Sequence, residues 1–78
     1  MSELTKEINA FFRLAGKGDV DDLLSDIILT ERQLVIFDMR YIKGKEINFI
    51  ADTVGLSPYS VDKELKRIRD KIAKSLNL

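Results

Sequence analysis

Apolar residues recur along this chain at three- and four-residue intervals, and few segments alternate with period two, so the pattern predicts helices throughout. Leu4, Ile8, Phe11, Phe12 and Ala15 share one face of a first helix, with Ser2 placed to cap it and Gly16 and Gly18 to end it. Asp19 is expected to cap a short second helix carrying Val20, Leu23, Leu24, Ile27 and Ile28. Thr30-Glu31-Arg32-Gln33 reads as a capping box, in which the Thr hydroxyl takes the Gln33 amide and the Gln side chain reaches back. The helix it opens should run from about 31 to 43. Its residues Leu34, Val35, Ile36, Phe37, Met39, Tyr41 and Ile42 cover almost the whole circumference, the pattern of a buried central helix. Gly44 stops it. A fourth helix is expected over about 46–54, ending at Gly55, and a fifth from Ser57 to about 76. The expected fold is all-α: a small four- to five-helix domain spanning residues 1–78, without internal repeat, low-complexity segment or linker.

The break between the last two helices is the most specific local feature. Gly55 stands where a helix end needs a left-handed residue, and Leu56 can fill the corner that follows. Ser57 suits an N-cap, and Pro58 suits the first helical position, where its missing N–H costs nothing. So short a turn makes the helices cross steeply, which requires a small residue inside the bend; Ala51 lies four positions before the glycine. Ile47, Ile50 and Val54 form the inner face of the fourth helix. On the fifth, Val61, Leu65, Ile68 and Ile72 fall within about 60° of one another at roughly 100° per residue. This is the pattern of a helix-turn-helix.

The segment from Leu29 to about Leu76 resembles the helix-turn-helix of housekeeping-class bacterial sigma factors, in their −35-reading domain, and is also similar to the LuxR-type activator domain. The matching residues are Leu29-Thr30-Glu31-Arg32-Gln33, Met39-Arg40-Tyr41-Ile42-Lys43-Gly44, Ile50-Ala51, Val54-Gly55-Leu56-Ser57, and Val61 with Leu65. The unbroken last helix is more sigma-like than LuxR-like. Residues 29–78 therefore form the sigma-like part, while residues 1–28 carry no matching motif and are assigned to core completion or dimerisation. Free-standing proteins of this kind are frequent among phage and mobile-element regulators.

The resemblance implies that the first turns of the fifth helix enter the major groove of duplex DNA. Carried onto this sequence, it puts Ser57, Pro58, Tyr59, Asp62, Lys63 and Lys66 nearest the bases. Lys63 can donate to guanine O6 and N7, and Tyr59 can reach a phosphate or a thymine methyl. Lys43, Lys45, Arg67 and Arg69 suit phosphate contact. The plainer reading of the same charges is a solvated face with i,i+4 pairs such as Asp62–Lys66 and Asp70–Lys74.

Charge sharpens this picture. The chain of 78 residues is neutral overall, with 13 basic and 13 acidic residues, but the signs are segregated. Residues 1–38 hold four basic and eight acidic side chains, whereas residues 57–78 hold six basic and three acidic ones. The basic end is a candidate anion-facing surface. The acidic group Asp19, Asp21, Asp22 and Asp26 lacks the glycine and the terminal glutamate of a calcium loop, and acids are favoured at a helix N-terminus anyway, so no metal is expected.

Composition excludes other classes. An apolar fraction of 45% suits a folded domain. No Cys and no His are present, so neither a disulfide framework nor the commonest general base and zinc ligand is available, and no catalytic residues or cofactor are expected. No apolar run approaches the roughly 20 residues of a membrane span, and MSELTKEI is unlike a signal peptide, so no membrane partner is expected and the default compartment is the cytoplasm. The expected function is sequence-specific binding of double-stranded DNA in transcription regulation, with a homodimer expected because a single small neutral domain makes few phosphate contacts. The alternative is an interaction module that binds RNA polymerase, a sigma factor or another regulator, with Phe12 and Leu14 on its interaction surface. A third reading is a DNA-packaging or recombination accessory protein with the same motif.

Overall fold

In the computed structural model, which describes residues 3–78, the chain is all-α. Five α-helices follow one another: α1 Glu3–Leu14, α2 Lys17–Asp26, α3 Glu31–Phe37, α4 Ile47–Val54 and α5 Pro58–Ser75. A π-helical turn, Asp38–Ile42, continues α3 directly. Among the described residues there is no strand, and no helix is long and apolar enough to cross a membrane. The expected capping residue Ser2 lies outside the described residues.

The chain divides into two compact units. One comprises residues 1–28 and 69–78, the other residues 29–68. In the first, Ile8 of α1, Leu23 of α2 and Ile72 and Ala73 of α5 are buried. Ser75 Oγ donates to an Asp26 carboxylate oxygen at 2.6 Å, and Lys71 Nζ donates to the Ile28 carbonyl at 2.6 Å. Phe11 and Phe12 pack edge to face, with centroids 5.1 Å apart. The start of α2 differs from expectation. The helix begins at Lys17, so Gly18 lies inside it, and Asp19 is the third helical residue rather than the cap. Asp19 still satisfies the helix end, because its carboxylate accepts from the Gly16 amide at 3.0 Å. The carboxylate reaches back over one turn to the N-cap amide, so the helix can start two residues before its acid.

In the second unit the capping box forms as read. The Gln33 amide donates to Thr30 Oγ1, and the Thr30 amide donates to Gln33 Oε1, both at 3.1 Å. The core holds Ile36, Phe37 and Met39, then Ile50 and Ala51 of α4, then Val61, Leu65 and Ile68 of α5. The helix expected over 31–43 departs from its pattern in two ways. It widens after Phe37, where the Lys43 amide reaches the Asp38 carbonyl at 2.9 Å, a five-residue step. It is also not buried all round, since Leu34, Val35 and Ile42 are exposed. A chain of this size has too little other structure to cover a helix on every side.

Candidate nucleic-acid interface

The turn between α4 and α5 is built by three residues in sequence. Gly55 adopts φ 72° and ψ 33°, the left-handed region in which an L side chain is strained. Its amide and that of Leu56 both point back to the Ala51 carbonyl, the latter at 3.0 Å, which closes the end of α4. Ala51 itself is 1% exposed, so the bend leaves no room for a larger side chain there. Ser57 then caps α5. Its Oγ accepts from the Ser60 amide at 3.1 Å and donates to Ser60 Oγ at 3.0 Å. Pro58 is the first helical residue.

With Val61, Leu65 and Ile68 buried, α5 presents its other side to solvent. Tyr59, Asp62, Lys63, Lys66 and Arg67 are all exposed. Lys63 Nζ sits 5.0 Å from the centroid of the Tyr59 ring, a cation–π pair that joins the two residues into one feature. Arg67 Nη1 donates to Glu64 Oε1 at 2.6 Å. This i,i+3 pair differs from the i,i+4 pairs, such as Asp62–Lys66, of the plainer reading. The Glu64 side chain is only 14% exposed, so it holds the Arg67 head group from the protein side.

Lys63, Glu64 and Arg67 line one shallow concavity of about 180 Å³ together with Ser60, Leu56 and Arg32. Three cations from two helices thus surround one carboxylate. Arg32, Ser60 and Glu64 were not among the residues expected at the interface. A signal for Arg32 was present. Within Thr30-Glu31-Arg32-Gln33 the cap occupies Thr30 and Gln33, which leaves the arginine free to point outward. An arginine presents a rigid fork of five donors, so Arg67 can keep one edge on Glu64 and offer another to a phosphate oxygen.

The other expected contacts are placed differently. Lys43 and Lys45 line a separate, largely apolar groove with Leu34, Val35 and Phe49. Lys43 is paired with Asp38 at 3.3 Å, and Lys45 Nζ lies 5.2 Å from the Phe49 ring centroid. Arg69 is half-buried and groups with the N-terminal helices. Phe12 is half-buried beside Phe11, whereas Leu14 is 81% exposed.

Compared with protein-family models, curated proteins and solved structures, the chain finds no significant match.

Proposed function

We propose that this protein reads double-stranded DNA sequence-specifically and regulates transcription, with α4 and α5 acting as a helix-turn-helix. The observation that most supports this reading is the gathering of Arg32, Lys63 and Arg67 around one concavity beside the first turns of α5. In this reading the start of α5 enters the major groove, where Lys63 and Tyr59 meet base edges. Arg32 and Arg67 hold phosphates on either side and fix the register. Lys66, exposed on the same helix, adds a backbone contact. Lys43 and Lys45 line a different concavity from Arg32, Lys63 and Arg67.

Selection from random duplexes with the wild-type protein, followed by binding measurements over a range of salt, tests this. Arg32→Ala and Arg67→Ala should each weaken binding to every sequence and reduce the salt slope by about one. Lys63→Ala should cost about 1–3 kcal/mol on the selected site and relax preference at one base pair. Failure of the folded wild-type protein to enrich any duplex refutes the reading. That result favours docking on RNA polymerase or a sigma factor instead, for which the exposed Leu14 is the supporting observation.

A further inference from the structure

Leu34, Val35, Met39 and Phe49 line a largely apolar groove of about 590 Å³ in the 29–68 unit. Phe49 is 51% exposed, and Leu34 and Val35 are exposed beside it. Large apolar side chains exposed together mark a contact surface more often than singly scattered ones do. The charges around this groove are mostly positive. Lys43 and Lys45 line it, with Asp38 the one acid, already paired with Lys43. The Arg40 guanidinium donates to the Lys45 carbonyl at 2.9 Å, adding a third cation at that end.

The complement of such a surface is an acidic element with apolar knobs, and the chain carries one. Helix α2 holds Asp19, Asp21, Asp22 and Asp26. Asp19 is engaged by the Gly16 amide and Asp26 by Ser75, which leaves the Asp21 and Asp22 carboxylates exposed and unpaired among the described residues. Just outside the two ends of this helix stand the two most exposed large apolar residues among those described, Leu14 at 81% and Ile28 at 87%. We infer that the groove of one copy receives the α2 region of a second copy, with Leu14 and Ile28 against Phe49, Val35 and Leu34 and with Asp21 and Asp22 facing Lys43 and Lys45. The inference does not depend on DNA binding, since it uses none of Arg32, Lys63 or Arg67.

Sedimentation over a wide range of protein concentration tests it. The wild-type mass should rise above the 8.9 kDa of one chain as concentration increases. The association should weaken between about 0.1 M and about 1 M salt, as the screening length falls from roughly 10 Å to roughly 3 Å. Phe49→Asp should leave a single-chain species with unchanged helical circular dichroism. The doubly reversed variants Lys43→Glu/Lys45→Glu and Asp21→Lys/Asp22→Lys should each stay monomeric alone. Mixed together, they should associate, because each then offers the charge that the other lacks. Recovery in the mixture also shows that both variants are folded. A mass of 8.9 kDa at every concentration overturns the inference. So does association that Phe49→Asp leaves unchanged, or a mixture of reversed variants that fails to recover.

Discussion

Substitution at Gly55 separates conformational cost from steric cost, because the position is strained yet open. Its φ of 72° lies in the left-handed region, and a Cβ built there meets no atom within 4 Å. A Cβ therefore creates no clash, and the cost of Gly55→Ala comes from the backbone. Forcing an ordinary L residue into this region costs roughly 1–2 kcal/mol. For Ala, the reduced freedom of the unfolded chain returns about 0.4–1 kcal/mol of stability, so Gly55→Ala should destabilise by about 1 kcal/mol. Gly55→Val should cost about 2 kcal/mol or more, since β-branching makes positive φ a true outlier. Gly55→Asn should cost least of the three, because Asn visits this region most readily. In a domain of this size each 1 kcal/mol lowers Tm by roughly 4–8 °C, so thermal melts followed by circular dichroism resolve the series. An Asn variant as damaged as the Val variant, or three variants with the wild-type Tm, would refute the reasoning and with it the left-handed turn.

Three other outcomes follow from the local geometry. Ala51→Leu should cost about 1–3 kcal/mol in denaturant melts, since the residue is almost fully buried in the bend and extra methylenes must displace its neighbours. Thr30→Ala should cost about 0.5–2 kcal/mol, because it removes the acceptor of the Gln33 amide, while Thr30→Ser should retain most of the stability. Gly44→Ala should lower Tm by about as much as Gly55→Ala, because φ is 67° there and the space around it is also open.

The features that sequence alone determined about this protein are those closed within one turn of chain. The caps at Thr30 and Ser57 and the left-handed stops at Gly44 and Gly55 were all legible, because each bond or dihedral involves residues at most a few positions apart. The buried stripe Val61, Leu65, Ile68 and Ile72 was legible for a related reason, since the helical period fixes which residues share a face. Even here a local choice could slip. Asp19 was expected to cap α2 but lies at its third position, where it accepts from the Gly16 amide, so its place at the helix start was legible and the start itself was not.

Only tertiary structure decided which charges share a surface. Lys43 and Lys45 looked equivalent to Arg67 as cations beside the same motif, yet they line an apolar groove with Phe49, while Arg32, thirty-one positions before Lys63, lines the concavity of α5. The five-residue step at Asp38–Lys43 left no mark in the apolar pattern, and the same pattern overstated the burial of Leu34, Val35 and Ile42. Spacing tells which side of a helix a residue takes. Whether another helix covers that side depends on how the helices pack, and packing is fixed by contacts between residues far apart in the chain.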